Sequence, residues 1–320
     1  MAIRYLPEQH SAELITHELA REATRRAYLA VTDADSKSFP VIHGQGHDPS
    51  NRFSMKAAST RELAGLKVGS YWHRNGEIGL APHSSCILLL DQRTGRIAAV
   101  VEASKANGYR TAAGDALAVD ALARADAKRL AVFGAGHQAE YECEAIMKVR
   151  RITELCVINR SPARASELAR KLARSGLETR VTTAAEACRY ADIIVTATSA
   201  RAPLFDADAV QPGTHISCMG TDAVGKQELP PELVRRSVLF CDEREQSLRI
   251  GEFQHIAADV RGGGIQSPIN LGDVLAGRAA RRADAAAITI FDSSGLALQD
   301  LFLADCLLQQ AQQRGFVSAP

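Results

Sequence analysis

The chain has 320 residues, 46% of them hydrophobic and 23% charged, a composition that is typical of a folded protein and excludes a disordered or collagen-like chain. Its 38 Lys and Arg residues balance 37 Asp and Glu residues, and the net charge of +1 provides no field that would hold nucleic acid or an anionic membrane. At roughly twice the usual length of a domain, the chain is predicted to form two units.

Short apolar runs and scattered cysteines exclude further classes of protein. The longest runs, such as Cys86–Leu90, are far shorter than the roughly 18 to 20 residues of a membrane-spanning helix. The N-terminal residues lack a basic segment followed by an apolar one, so we expect no secretory signal and a cytoplasmic location. The seven cysteines form no CxxC pair and have no histidine at ligand spacing, so we expect reduced thiols and no metal site.

The N-terminal third of the chain predicts a helix followed by an antiparallel sheet. Apolar residues recur at every fourth position in the segment from Pro7 to about Val31, which indicates an amphipathic helix. Between Phe39 and Val101, short apolar stretches are broken by glycine and proline, a pattern typical of antiparallel strands. Four strands are expected: Arg52–Ala57, Leu66–Trp72, Ser85–Leu90 and Ile97–Glu102. The alanine-rich segment Ala103–Ala125 predicts a connecting helix.

From Lys128 onward, strands alternate with helices, which predicts an α/β fold with a parallel, doubly wound sheet of the Rossmann type. Strands are expected at Arg129–Phe133, Leu155–Ile158, near Val181, Ile193–Thr196, His215–Met219, Val238–Cys241 and Ile288–Phe291. Helices are expected at His137–Val149, Ala163–Ala173, Ala184–Cys188 and, last, about Leu298–Arg314. We assign residues 1–113 and 297–320 to an α+β domain, and residues 114–296 to the Rossmann domain.

A glycine-rich loop follows the first strand of the predicted Rossmann domain. It reads Gly134-Ala135-Gly136-His137-Gln138-Ala139 and opens a helix. In the dinucleotide fingerprint GxGxxA, the glycines permit a tight turn and close approach of the pyrophosphate, and the helix N-terminus supplies amide donors. A plain structural turn is the alternative, but the strand and helix on either side favour dinucleotide binding.

The end of the next strand bears on the choice of cofactor. An acidic residue that binds the ribose 2′-hydroxyl is usual there, roughly 20 residues after the first glycine. This chain instead has Asn159, Arg160 and Ser161, followed by Arg164. A guanidinium and a small hydroxyl suit a 2′-phosphate, so NADPH is favoured over NADH, unless the two arginines form an ordinary solvated surface.

Polar residues also follow later strands, at the edge where ligands of open α/β sheets bind. Thr196, Thr198 and Ser199 end one strand and are candidates for contacts on the nicotinamide side, or simply a polar strand end. The next loop, Gly220-Thr-Asp-Ala-Val-Gly-Lys226, places Asp222 at the same edge. Its carboxylate is a candidate acid or base, or alternatively a turn residue.

Cationic residues in the N-terminal block are candidates for substrate binding. They are Lys56, Lys67 and Arg110. A lysine on a strand most often lies on a solvated face, so none of them alone would indicate a site. Two cations from different elements, however, suit a small carboxylate that must be oriented during hydride transfer. His83 is a further candidate, with a structural histidine as the alternative.

Seven segments, in order along the chain, resemble the ornithine cyclodeaminase/mu-crystallin family. They are Gly65–Gly69, Gly79–His83, Asp91–Gly95, Tyr109–Ala113, Phe133–Ala139, Gly220–Lys226 and Phe291–Gly295. The resemblance implies a homodimer in which the first domain binds the substrate. It also implies that Lys67 and Arg110 bind the substrate's α-carboxylate, and that Asp222 is the acid/base or orients the amine. The implied cofactor contacts include Thr111, Met219, Gly220 and Ser293.

Differences from the cyclodeaminase sequences narrow the range of possible substrates. The stretch Ser38–Ile42 lacks the arginine of their Pro-Arg pair, and a cyclodeaminase glutamate falls near Ser54, where this chain has no acid between Asn51 and Thr60. A cationic diamine would lack its counter-charge, whereas Lys56 adds positive charge. The stretches Phe39–Ile42, Ser70–Trp72 and Gly220–Leu229 resemble the iminosuccinate reductase branch of the family.

The sequence therefore predicts an NAD(P)H-dependent reductase of an α-imino acid, with iminosuccinate as the best guess. Lys67 and Arg110 would hold the α-carboxylate, Lys56 or His83 would meet the distal carboxylate, and Asp222 would stabilise or protonate the imine nitrogen. An ornithine cyclodeaminase, an alanine dehydrogenase and a reductase of cyclic imines are the enzymatic alternatives. A non-catalytic binding protein is the alternative from a different class.

Overall fold

A computed structural model describes residues 3–173, 176–282 and 284–317. The chain divides into two compact units, the first comprising the residues up to Arg110 together with those from Leu296 onward, and the second comprising Thr111–Gly295. The ends of the predicted first domain, residues 1–2 and 318–320, lie outside the described residues. The assignment of the two units to substrate and dinucleotide binding stays a prediction.

The first unit is built on a mixed sheet of seven strands. Its strands are β1 (Arg4–Leu6), β2 (Lys37–Ser38), β3 (Ile42–Gln45), β4 (Arg52–Ser59), β5 (Ala64–Tyr71), β6 (His83–Leu90) and β7 (Ile97–Glu102). They follow the order β1-β7-β6-β5-β4-β2, with β3 also paired to β4. Strand β1 runs parallel to β7, and the other pairs are antiparallel. The predicted antiparallel block is confirmed, and the short strands β1 to β3 extend it.

Two helices occupy the N-terminal segment predicted as one. They are α1 (Glu8–Leu14) and α2 (His17–Val31). Between them Thr16 has an extended backbone, and its hydroxyl accepts a hydrogen bond from the Leu19 amide at 3.1 Å. Such a side chain starts a new helix by satisfying an amide that has no partner within the helix. The single predicted helix was therefore wrong, because the apolar pattern continues through a capping residue.

The second unit contains a sheet of eight strands, all parallel. Helix α3 (Ser104–Leu122) leads into it from the first unit. The strands are β8 (Arg129–Phe133), β9 (Glu154–Ile158), β10 (Glu178–Val181), β11 (Ile193–Thr196), β12 (His215–Cys218), β13 (Val238–Cys241), β14 (Ile269–Asn270) and β15 (Thr289–Asp292). The helices are α4 (His137–Val149), α5 (Pro162–Ala173), α6 (Ala184–Tyr190), α7 (Pro231–Arg235), α8 (Arg244–Ile250), α9 (Ala257–Arg261) and α10 (Leu271–Leu275).

The strand order β10-β9-β8-β11-β12-β15-β13-β14 is that of a Rossmann domain, which confirms the predicted fold class. Strands β11, β12 and β15 are buried along their whole length. Parallel sheets are covered on both faces, so even the polar residues of β12 and β15, such as His215 and Asp292, are buried. Because all eight strands point the same way, the segments that follow them lie at one edge of the sheet. No helix within the described ranges combines the length and apolarity needed to cross a membrane.

The last helix, α11 (Ala297–Gln313), belongs to the first unit and packs against α2, β4, β5 and β6. Successive residues of a strand point to opposite faces of the sheet. Helix α11 covers the face that carries Lys56 and Lys67. The opposite face presents apolar side chains that are only partly buried, including Met55, Leu66, Val68 and Leu88.

Candidate active site

Two buried lysines lie opposite each other in the sheet of the first unit. Lys56 of β4 and Lys67 of β5 are cross-strand partners, with exposures of 8% and 5%. Like charges directly opposite each other on a sheet are destabilising, and burial of charge adds to the cost. Since a solvated face would avoid both costs, the pair is not the ordinary surface pattern considered above.

Arg110, on α3, completes a cluster with Lys67. Asn107, one helical turn earlier, accepts hydrogen bonds at its Oδ1 from Lys67 Nζ and from Arg110 Nη2, both at 2.9 Å. Arg110 is 5% exposed. The structure therefore brings the two residues predicted to hold the α-carboxylate onto a single amide oxygen.

The counter-charge of this cluster is Asp300 of α11, which sequence analysis missed. Its carboxylate lies 3.4 Å from Lys67 Nζ and 3.0 Å from Arg110 Nε and is 1% exposed. The neighbouring Gln299 accepts a hydrogen bond from Arg110 Nη1 at 3.5 Å. The available signal was an acid within an otherwise apolar stretch of helix, because charged residues are rarely fully buried unless they are paired.

The cluster shifts the titration of Lys67. Burial lowers its pKa from 10.5 to about 7, helped by the charges of Arg110 and Lys56 and opposed by Asp300. The positive charges of Arg110 and Lys56 close to Lys67 favour the binding of an anion at the cluster. A lysine with a pKa near neutrality can also exchange a proton at the working pH.

His83 lies on the same sheet but farther along it. It is the first residue of β6 and is aligned with Tyr71, whereas Ile87 is aligned with Lys67. Alternate residues share a face, so His83 is on the face of the two lysines but about 13 Å along the strand from their row. It is partly buried. Its predicted contact with a distal carboxylate stays a prediction.

The glycine loop of the second unit has the geometry of a dinucleotide cradle. Gly134 has φ +120°, and a Cβ at this position would lie 2.6 Å from the carbonyl oxygen of Ala197. Gly136 caps α4, and nothing lies within 4 Å of where its Cβ would be. The space above the helix N-terminus is thus kept open by the absence of a side chain, which fits the close approach of a pyrophosphate.

The first residues of α4 have partners within the second unit. His137 makes an edge-on ring contact with Tyr141, and Gln138 Nε2 donates to Glu142 at 2.7 Å. Thr111, the first residue of this unit, lies on α3 and is partly buried. The backbone amides of the helix N-terminus give the loop a capacity to bind an anion, and the roles of Thr111, His137 and Gln138 toward a cofactor stay predictions.

At the end of β9, the residues predicted to select the cofactor form a turn. Asn159 Nδ2 donates to the carbonyl oxygen of Ser161 at 3.2 Å, and Ser161 Oγ accepts from the Arg164 amide at 3.4 Å. Arg160 and Arg164 are both exposed. The turn therefore places two guanidinium groups on one short segment, available to a phosphate.

Asp222 lies on the loop after β12, at the carboxyl edge of the second sheet. Its Oδ1 is 2.6 Å from Lys226 Nζ, which also donates to the carbonyl oxygen of Gly220 at 3.0 Å. The side chain is 55% exposed. Lys226 belongs to the motif quoted above, but its role as the partner of Asp222 was not predicted.

The remaining candidates at this edge differ in accessibility. Ser199 is exposed, whereas Met219 is buried beside Gly220. The Ser293 hydroxyl donates to Asp242 at 3.2 Å. Thr196 and Thr198 both bind Glu228, a buried acid that sequence analysis missed. Their roles toward a cofactor stay predictions.

The chain is similar over nearly its whole length to several enzymes. The iminosuccinate reductase of Paracoccus denitrificans is 37% identical over 312 residues, 96% of each chain. Its crystal structure in complex with NAD+ superimposes with a TM-score of 0.91 at 35% identity and covers 99% of this chain and 98% of that one.

Two other solved structures share the fold over the same extent. An archaeal alanine dehydrogenase dimer with bound NAD has a TM-score of 0.90 at 29% identity, covering 99% of this chain and 98% of the other. The Δ1-pyrroline-2-carboxylate reductase of Thermococcus litoralis, in complex with NADH and L-proline, has a TM-score of 0.88 at 28% identity, covering 99% and 100%.

Residues 25–315 match the model of the Ornithine cyclodeaminase/mu-crystallin family. This match spans most of both units and includes the cation cluster, the glycine loop and the Asp222 loop. It agrees with the seven segments on which the resemblance was based. The chain therefore belongs to the ornithine cyclodeaminase/mu-crystallin family and is an NAD-dependent oxidoreductase of imino or amino acids.

Proposed function

We propose that the protein reduces an α-imino dicarboxylate, with iminosuccinate as the substrate and aspartate as the product. The observation that carries this proposal is the burial of three cations in the first unit. Lys67 and Arg110 pair with Asp300, and Lys56 lies directly opposite Lys67 on the sheet. A monocarboxylate needs two of these cations, and the third suits a second carboxylate. The similarity to an iminosuccinate reductase supports the same substrate.

Lys67 and Arg110 hold the α-carboxylate, and Lys56 or His83 meets the distal one. Asn107 and Asp300 fix the two cations in advance of binding, so little of the ordering cost falls on the substrate. Ser54, near which a glutamate of the cyclodeaminases falls, lies on β4, and no acid lies between Asn51 and Thr60. A cationic side-chain amine therefore has no counter-charge there, which disfavours a diamine substrate.

Reduction of a C=N bond adds a hydride to carbon and a proton to nitrogen. When bound, NADPH or NADH supplies the hydride. Asp222 stabilises the cationic imine or protonates its nitrogen, and Lys226 orients that carboxylate. Lys67, whose pKa is lowered to about 7 by burial and by Arg110, is the second group able to exchange a proton near neutral pH.

The cofactor is held by the glycine loop and the turn after β9. Gly134 and Gly136 permit the pyrophosphate to approach the start of α4. Arg160 and Arg164, both exposed beside Ser161, bind a 2′-phosphate, so NADPH is the preferred cofactor. NADH remains a substrate, since related structures hold NAD+ or NADH.

A homodimer is the proposed assembly. The partly buried apolar face of the first sheet, which includes Met55, Leu66, Val68 and Leu88, offers a surface that a second copy would cover. A similar alanine dehydrogenase is a dimer. Light scattering on the purified protein distinguishes a dimer from a monomer.

The first experiment follows oxidation of the reduced nicotinamide with oxaloacetate and ammonium, using NADH and NADPH side by side. Pyruvate, glyoxylate and a cyclic imine are the comparison substrates. Ammonium-dependent oxidation selective for oxaloacetate is expected. Turnover of pyruvate or the cyclic imine alone would identify an alanine dehydrogenase or a pyrroline carboxylate reductase and would remove the argument based on Lys56. Cofactor binding without turnover of any substrate would indicate a binding protein.

A further inference from the structure

A buried carboxylate joins two of the loops at the carboxyl edge of the second sheet. Glu228 Oε1 accepts hydrogen bonds from the Thr198 amide and the Thr198 hydroxyl, both at 2.7 Å. Its Oε2 accepts from the Thr196 hydroxyl at 2.7 Å and from the Gly220 amide at 3.1 Å. Four donors from the end of β11 and from the segments after β11 and β12 thus converge on one side chain that is fully buried.

The two segments approach too closely for side chains to separate them. A Cβ on Gly220 would lie 2.3 Å from the Thr198 carbonyl oxygen and 2.6 Å from Glu228 Oε1. Only glycine permits this contact of backbone with backbone and carboxylate. Glu228 therefore holds Thr198 and Gly220 at this close approach.

A second buried carboxylate extends the linkage to the residue before Asp222. Glu252 accepts hydrogen bonds from the Glu228 and Leu229 amides, the latter at 2.7 Å, and from the Thr221 hydroxyl at 2.7 Å. Its own amide donates to Asp292 at 3.0 Å. Glu252 thus anchors the backbone of Glu228. The loop that carries Asp222 is bound at Gly220 by Glu228 and at Thr221 by Glu252.

Keeping two acids buried at this place is costly for folding. Burial raises the pKa of Glu228, and burial together with the Glu228 charge raises the pKa of Glu252 to about 7. The hydrogen bonds to each carboxylate act in the opposite direction. An apolar residue could fill the same volume more cheaply, but it could not tie four donors of two loops to one point.

We infer that Glu228 is a positioning residue for hydride transfer. It fixes the segment Thr196–Ser199 against Gly220, and so sets where the nicotinamide ring lies relative to Asp222. This inference rests on the proposed use of NADPH or NADH. Glu228 itself acts through the two loops and needs no contact with the substrate or cofactor.

The test is Glu228→Gln. One oxygen becomes an NH2 group that faces one backbone amide and one threonine hydroxyl. The hydroxyl can turn to accept a hydrogen bond, but the amide cannot, so the loops must separate. We expect kcat for the imino acid to fall about 10- to 100-fold, the loss typical of reactants displaced by a fraction of an ångström to 1 Å. We expect NADH and NADPH to bind more weakly, while ADP-ribose, which lacks nicotinamide, binds as in the wild type. Glu232, an exposed acid on α7, provides the matched control. Glu232→Gln should leave kcat and the affinities for NADH, NADPH and ADP-ribose unchanged.

Thr196→Val provides a second variant should Glu228→Gln fold poorly. It keeps the volume of a fully buried side chain and removes one hydrogen bond to Glu228. We expect a smaller fall in kcat, again with unchanged ADP-ribose binding.

Wild-type kcat and NADH affinity in folded Glu228→Gln would overturn the positioning role. So would an equal loss of ADP-ribose and NADH affinity, because a general structural defect would affect both ligands. Failure of the wild-type protein to bind either NADH or NADPH would instead contradict the proposed function, and the inference with it.

Discussion

The two units differ in how their parts of the proposed site are built. In the second unit, the glycine loop is one continuous motif between β8 and α4, and its geometry follows from local residues such as Gly134 and Gly136. In the first unit, the cation cluster draws Lys67 from β5, Arg110 from α3 and Asp300 from α11. A site made from a continuous motif can be predicted from sequence, whereas a site assembled from distant elements is predicted only in part.

The largest effect is expected from breaking the cluster in the first unit with Lys67→Met. The substitution keeps the length of the side chain and removes the charge that Asn107 and Asp300 hold in place. Loss of a buried, hydrogen-bonded charge from a binding site corresponds to about a thousandfold fall in kcat/KM. Steady-state kinetics with the imino acid measure it.

Lys37→Met is the matched control, because Lys37 is an exposed lysine of β2 in the same unit. It should leave kcat/KM unchanged. Since burial already opposes the charge on Lys67, the Met variant should fold, and its melting temperature checks this. Wild-type kcat/KM in Lys67→Met would contradict the substrate role of the cluster.

The second unit is tested by Asp222→Asn. We expect kcat to fall about a hundredfold, because the amide cannot balance the charge of the imine or donate a proton in the same way. The dissociation constants of NADH and NADPH should change little, since the glycine loop is untouched. Stopped-flow or steady-state kinetics and fluorescence titration separate the two quantities. Normal turnover of this variant would show that the acid/base lies elsewhere.

The difference between the units also explains which residues could be predicted. The alternation of strands and helices after Lys128 reflects burial of a parallel sheet on both faces, and the structure confirms it. The helix break at Thr16 was missed because a cap depends on one side-chain hydrogen bond. Short helices such as α9 and α10 were missed because they are too brief to show an apolar period.

The acids of the site were harder to predict than its cations. Gln299 and Arg110 are hydrogen-bonded across 189 residues of sequence, and Asp300 reaches Lys67 from the same helix. Glu228 follows Gln227 in a loop that looks solvated in the sequence, yet it is fully buried. An isolated acid in a sequence normally lies in solvent, so only the packed structure indicates that these two acids hold other residues in place.

The pH dependence sharpens the comparison, because the cluster of the first unit contains a lysine, Lys67, whose pKa is lowered to about 7 by burial and by the charges of Arg110 and Lys56. Below that pH, Lys67 is charged and binds a carboxylate; above it, the neutral amine binds weakly. We therefore expect KM for the imino acid to rise above pH 7, approaching about tenfold per pH unit. Profiles of KM from pH 6 to 9 measure the break.

Asp300→Asn should move this break to lower pH. The carboxylate of Asp300 raises the pKa of Lys67, so its loss leaves burial and the two neighbouring cations unopposed. Asp305→Asn is the control on the same helix, because Asp305 pairs with Arg26 instead. An unchanged break in Asp300→Asn would mean that Lys67 does not set the pH dependence of KM.

The smallest effect is expected at the turn after β9, where the arginines proposed to bind the cofactor are exposed. Arg160→Ala combined with Arg164→Ala should weaken NADPH binding about tenfold, since a guanidinium–phosphate contact in water contributes less than a buried one. NADH binding should stay the same, because NADH carries a hydroxyl at the position of the phosphate.

Arg170→Ala, at an exposed site near the end of α5, is the control. If NADPH and NADH both bound more weakly by the same factor, the arginines would contact the pyrophosphate that the two cofactors share. If neither affinity changed, the arginines would be ordinary surface residues. Either result would mean that, in the second unit, the sequence predicts cofactor binding only at the glycine loop. The backbone of that loop has fewer possible conformations than an exposed arginine side chain has.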